Sequence, residues 1–272
     1  MGVRKNQNRL STNEKNLFVK AMLAIKRRGD YDELVAIHTD RMTTDWEGGQ
    51  PVGHISPSFL PWHREFLLRL ERALQTIDPR VTLPYWNWTV DRSKTNPLWG
   101  SGFMGGDGRS GDAMVTTGPF AYGTGNWTLN VRLDDRPYLT REMGQSTPYL
   151  PTSSDLSGVL ARTPYDASPW DTTPASGFRN AMEGFSAPAH NQVHVWVGGH
   201  MLTSVSPNDP VFWLHHCFID KCWADWSAAH PGQPYLPSGG TPNVLDVNEP
   251  MPPWNDLTPA DVFDHTRFYT YG

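Results

Sequence analysis

The chain has 272 residues, 38% hydrophobic and 19% charged, with a net charge of -5. That suits one large globular domain, read here as residues 1–272, since no repeat or low-complexity linker divides it. No basic run points to nucleic acid, and no stretch approaches the roughly 20 apolar residues that span a bilayer.

The N-terminus, "MGVRKNQNRLSTNEK", is polar and carries no apolar segment of the secretory kind. The expected location is therefore cytoplasmic, or exported in trans. "STNE" then resembles a capping box, with Ser11 or Thr12 ahead of Glu14. Leu17, Phe18, Met22 and Ile25 make a helical stripe that Gly29 interrupts. A second helix carries Leu34, Val35 and His38 and is expected to end at residue 44. Residues 45–57, "DWEGGQPVGHISP", read as a loop holding His54. A strong helix follows, with Ser58 as N-cap, Pro61 in the first turn and Pro79 as its stop. On it His63 shares a face with Phe66, Leu67, Leu70 and Leu74.

Residues 80–180 are mostly loop by composition, with a short strand expected at "NVRL", residues 130–133. Twelve tryptophans, 24 prolines and 24 glycines suit long, ordered loops packed by aromatic rings. Residues 188–197 form a helix on which His190 and His194, four apart, point the same way. The last helix, in "SPNDPVFWLHHCFIDKCWADWSAAHPG", is expected to be capped by Asn208 or Ser206, with Pro210 at its first position and Pro231-Gly232 at its end. Phe212, Trp213, His216, Ile219, Asp220 and Trp223 share one face. Cys217 and Cys222, five apart, point to different faces; they read as small buried hydrophobes, not a disulfide. The tail from 232 to 272 reads as an ordered wrap. The fold class is mainly α, with long loops and a few short strands.

Six of the ten histidines fall into two sets, His38, His54 and His63, then His190, His194 and His216. A lone histidine on an apolar face is ordinarily a satisfied core residue. Four histidine-bearing helical segments in one chain favour a shared metal centre, which makes burying neutral imidazoles worthwhile. A catalytic zinc site of the H-E-x-x-H type needs a glutamate where Asn191 and Gln192 stand. Cysteine clusters and paired E-x-x-H carboxylates are absent. Imidazole-only ligation suits copper, which tops the divalent affinity order.

"PSFLPWHREFLLRLERAL", "LPYWNW", "HNQVHVWVGG" and "SPNDPVFWLHHCFIDKCWADW" together resemble the tyrosinases and related type-3 copper phenol oxidases, especially the small bacterial ones. The resemblance implies a four-helix bundle around a dicopper site. It implies that His38, His54 and His63 bind one copper and His190, His194 and His216 the other, with dioxygen as co-substrate. The implied reactions are oxidation of o-diphenols to o-quinones and hydroxylation of monophenols. An o-aminophenol oxidase making quinone imines would share every ligand; a hemocyanin-like oxygen carrier and a zinc hydrolase are remoter alternatives.

Glu183 and Asn191 match a pair that holds a water near the second copper in relatives; a surface or capping carboxylate is the plainer reading of Glu183. Phe59, Trp62, Phe212 and Trp213 read either as walls that keep water off the centre or as plain core. Thr39, Met42, His200, Met201, His215 and Cys217 are the candidate substrate pocket. Three of them, Thr39, His200 and Cys217, depart from the residues usual in bacterial tyrosinases. His200 could contact a polar substrate group or be an exposed bystander, and His215 is expected beside the ligands, not among them. Val52 stands where fungal and molluscan relatives have the cysteine of a thioether. The implied partners are a small phenolic or o-aminophenolic substrate and a small copper-delivery companion protein.

Overall fold

Ser11 and Glu14 close a reciprocal capping box at the start of α1 (Thr12–Arg28), as their spacing predicts. Gly29, at φ 91°, ends α1 in the left-handed conformation that glycine adopts without a Cβ penalty. Helix α2 (Asp30–Trp46) begins at once. Lys26, Arg27 and Arg28 in the last turn of α1, and Asp30, Asp32 and Glu33 in the first turn of α2, suit the dipole at both ends. The computed structural model describes residues 2–47, 50–124 and 127–272. Helix α2 runs two residues beyond the expected end, taking in Asp45 and Trp46; Gly48 and Gly49 of the expected loop lie outside the described residues.

Helix α3 (Phe59–Gln75) follows Ser58, but the Ser58 hydroxyl donates to the Val52 carbonyl (2.7 Å) and caps nothing. Its regular turns stop at Gln75, short of Pro79. The expected strand at 130–133 does not form. The Val131 carbonyl accepts from the Asn208 amide (2.8 Å) and Asn130 reaches Asp32 (2.6 Å), so this segment is held by side chains, not a ladder. The stretch read as loop also contains two short helices, α4 (Ser153–Leu160) and α5 (Phe178–Glu183).

Helices α6 (His190–Val197) and α7 (Val211–Ala229) carry the second set of histidines. Neither Asn208 nor Ser206 caps α7. Asp209 accepts the Val211 N–H (3.0 Å), while its carboxylate takes both arms of the Arg141 fork (2.6 and 2.7 Å). The charged pair occupies the place the neutral caps were expected to fill.

Helix α3 packs along α7, α2 against α1 and α3, and α6 against α7. Four helices, α2, α3, α6 and α7, thus present histidines inward, in a mainly helical fold. The two termini close the outside. Strand β1 (Gly2–Arg4) pairs in parallel with β2 (Tyr269–Tyr271). Arg4 reaches Glu71 on α3 (2.9 Å), and Arg64 on α3 reaches Asp220 on α7 (2.6 Å), which also accepts from the Tyr269 hydroxyl (2.5 Å). The tail wraps as expected: the Trp62 indole donates to the Pro252 carbonyl (2.9 Å) and stacks on Trp254 with centroids 5.0 Å apart.

Candidate metal centre

His38 on α2, His54 on the following loop and His63 on α3 are all buried, and each offers a ligand atom within 4.8 Å of the others. His190, His194 and His216, with His215, form a second such group. The groups touch: the rings of His63 and His216 stack with centroids 4.3 Å apart and planes 11° from parallel.

The hydrogen bonds on the outer side of the rings decide what faces inward. His38 Nδ1 lies 2.9 Å from the Ser204 carbonyl, His63 Nδ1 2.9 Å from the Phe59 carbonyl and His194 Nδ1 2.7 Å from the Met201 carbonyl. His54 Nδ1 lies 3.3 Å from the Asp45 carboxylate. A carbonyl or carboxylate can only accept, so these four nitrogens carry the proton, and a neutral ring so held has a bare Nε2 lone pair to offer the centre. Burial, reinforced by neighbouring imidazoles, holds His38, His63, His190 and His216 well below the usual imidazole pKa, and burial lowers His194 to about 4. All five are therefore neutral at physiological pH.

A metal fits this arrangement. His190 Nε2 and His194 Nε2 each lie 3.3 Å from His216 Nε2. An ion about 2.0–2.1 Å from each of three tetrahedrally placed nitrogens sets them roughly 3.3 Å apart. His63 Nε2 is a buried acceptor with no partner in the protein. Three imidazoles per ion, with no thiolate or carboxylate among them, suit copper.

The loop histidine is held differently from the others. Asp45 accepts the backbone N–H groups of Val52, Gly53 and His54 (2.9, 2.9 and 2.8 Å) as well as facing the His54 ring. The next residue, Ile55, sits at φ 57°. For a β-branched residue that conformation costs on the order of 1–3 kcal/mol and persists only where its surroundings enforce it. The Ile55 N–H donates to Glu183 Oε1 (2.5 Å).

A cavity of about 240 Å³ opens onto the centre, lined by five of the six histidines, Glu183, Asn191, Met42 and Met201 among others. Trp46, Phe185 and Leu202 form its outer rim at 64%, 78% and 48% exposure. Glu183 is buried, not a surface carboxylate. Its Oε2 accepts from Arg179 (2.9 Å), and burial raises its pKa against the pull of that cation.

Phe59, Trp62, Phe212 and Trp213 are fully buried. Phe59 packs on His63 and His190, Trp62 on His63, and Phe212 on His38 and His216, so three of them back the ligand rings. Trp213 sits one layer out, its indole donating to the Tyr31 hydroxyl (2.8 Å).

Of the six expected pocket residues, Met42 and Met201 line this cavity and the other four do not. Thr39 turns its hydroxyl to the Val35 carbonyl (2.8 Å). Cys217 faces the other side of α7, where burial pushes its thiol up to about 12, and both cysteines are free. His215 is fully buried, stacked on His190 with planes 16° apart, and neither ring nitrogen has a partner. His200 is buried, not exposed. Its Nδ1 accepts the Thr140 N–H (3.0 Å), and it lines a separate polar cavity with Asp134, Arg136 and Glu142.

The residues that sequence reasoning missed are the ones that hold others. Asp45 gave no motif, because its three backbone partners are set by how the loop folds back. Arg179 was missed too, although it stands at the i,i+4 spacing of a helical ion pair from the expected Glu183, a readable sign.

Two imidazole triads, touching across one stacked pair, define a dinuclear copper-type centre. The common central domain of tyrosinase matches residues 28–229, a span that includes all six histidines. The chain is 55% identical over 272 residues to the tyrosinase of Streptomyces antibioticus, covering 100% of this chain and 99% of that one. It is 49% identical over 302 residues to the grixazone synthase of Streptomyces griseus, covering 99% and 98%. Among solved structures, a Burkholderia thailandensis tyrosinase superposes with a TM-score of 0.67 at 17% identity, covering 100% of this chain and 73% of that one. An octopus hemocyanin unit gives 0.66 at 22%, covering 100% and 68%. At those identities the two likenesses carry the fold alone. The chain belongs to the tyrosinase family, and so to the copper-dependent phenol oxidases.

Proposed function

We propose that the protein is a tyrosinase, using dioxygen to hydroxylate monophenols and to oxidise o-diphenols to o-quinones, in a single domain. The stoichiometries close: two o-diphenols and one dioxygen give two o-quinones and two waters, and one monophenol and one dioxygen give one o-quinone and one water. The observation that carries the reading is the pair of touching imidazole triads. Copper, held by His38, His54 and His63 and by His190, His194 and His216, supplies the redox chemistry with dioxygen; the protein supplies geometry, access and proton handling.

The cavity lining supports a neutral aromatic substrate. Apart from the histidines, its only ionisable member among the described residues is Glu183, whose Oε2 accepts from Arg179. Met42 and Met201 offer soft apolar contact to a ring. A phenol loses its proton only near pH 10, so hydroxylation gains from a base nearby. Glu183 and Asn191 both line the cavity, which supports the reading that they hold a water that takes that proton.

The grixazone synthase likeness favours a second reading, an o-aminophenol oxidase. In either case a phenolic pigment pathway is the setting. We also propose that a small companion protein delivers the copper at the exposed rim of Trp46, Phe185 and Leu202, either in the cytoplasm or during export in trans. No described helix is long and apolar enough to cross a membrane. The test is the copper-loaded enzyme assayed on tyrosine, a catechol and o-aminophenol. Turnover of tyrosine supports the main reading; turnover of o-aminophenol with none of tyrosine replaces it by the second.

A further inference from the structure

Glu183 is placed to do more than hold a water. Its two oxygens are committed to different elements. Oε1 accepts the Ile55 N–H (2.5 Å), the residue after His54, and Oε2 accepts from Arg179 Nη1 (2.9 Å). Arg179 is itself anchored. Its Nε and Nη2 take both oxygens of Asp166 (2.6 and 2.8 Å), and Nη2 also donates to the Trp170 and Asp171 carbonyls (both 2.9 Å). Every side chain in this chain of contacts is at least 95% buried. It ends on a backbone amide at φ 57°, a conformation an isoleucine leaves unless held.

We propose that Glu183, braced by Arg179, is a positioning residue that holds the His54 loop in place from the α5 side, opposite the grip of Asp45. This rests on the dicopper reading. A carboxylate is the group the site requires. Ile55 and Arg179 both present N–H donors, and a carboxylate accepts from both, whereas a glutamine amide turns its own NH₂ group against one of them. Left unheld, the Ile55 backbone relaxes toward negative φ and carries the His54 ring with it.

The test is copper retention in Glu183→Gln and in Ile55→Gly/Glu183→Gln, each loaded with two coppers and challenged with a chelator. In E183Q one copper should leave roughly 10–100-fold faster, the usual cost of losing a group that holds a metal ligand, while the second leaves at the wild-type rate. Glycine adopts φ 57° without strain, so the double variant should regain retention of the first copper without regaining monophenol hydroxylation. The proposal is overturned if E183Q keeps both coppers as tightly as wild type and loses only hydroxylation, for then Glu183 acts on protons alone. It is equally overturned if both coppers loosen together and Ile55→Gly rescues neither, the mark of a general structural role. Wild-type protein that takes up fewer than two coppers sinks the dicopper reading instead.

Discussion

The two triads reach the same geometry by different means. His190 and His194 lie one turn apart on α6, and His216 lies in the first half of α7, where every residue from Val211 to Asp220 is buried. Helical position aims all three, and the Met201 carbonyl fixes the ring of His194. The first triad has two helical members, His38 and His63, and one on a loop, His54. No periodicity aims a loop residue. The protein compensates with hydrogen bonds, four from the Asp45 side chain and one from Glu183, all on residues 52–55. A ligand carried by a helix is held by the fold; a ligand carried by a loop is held by individual polar groups, and those can be removed one at a time.

That difference can be broken from either side. The largest effect is expected from ligand removal. His194→Ala or His54→Ala should each cost one bound copper and lower catechol oxidation by more than the roughly 100-fold that outer partners cost, read by metal analysis and kcat/KM. Asp45→Asn comes next. An amide has one oxygen where four donors converge, so copper at the first triad should weaken roughly 10–100-fold while the second triad keeps its ion. Equal weakening of both sites would erase the distinction between loop and helix.

A smaller change is expected at the rim. Phe185→Ala removes an exposed ring, so stability should move by no more than about 0.5 kcal/mol, while KM for apolar phenols rises and copper content stays at two. Smallest is Glu14→Gln in the α1 capping box, remote from both triads. Its hydrogen bonds from Lys5 and Ser11 lower Glu14 to about 2. A depressed carboxyl contributes stability above its unfolded pKa, near 4.3, and loses it as pH falls toward 2. The group is exposed, so the contribution is below about 1 kcal/mol, and the variant's melting temperature should converge on wild type as the pH is lowered through that window.

Much of this arrangement was legible in the chain. The four-residue step from His190 to His194, the apolar face around His63 and the capping box at Ser11 are local patterns, and local patterns survive folding. What stayed hidden is set by contacts distant in sequence. Strands β1 and β2 have three residues each and come from opposite ends of the chain, so neither carries a pattern of its own. Helix α5 has six residues and no side-chain cap, too short for a periodic stripe. Thr140, which binds His200, lies 60 residues away from it, and nothing in "GGHML" says that this ring turns inward to a backbone amide, away from the cavity. Asp209 took the place expected of Asn208 at α7 because Arg141 arrives from a loop to neutralise it.

The account depends above all on two ions seated side by side by six imidazoles. Anomalous scattering at the copper edge from a crystal of the copper-loaded protein tests this directly. It should reveal two peaks, one bounded by the Nε2 atoms of His38, His54 and His63 and one by those of His190, His194 and His216. A single peak, or a peak ligated by His215 in place of His216, would contradict it.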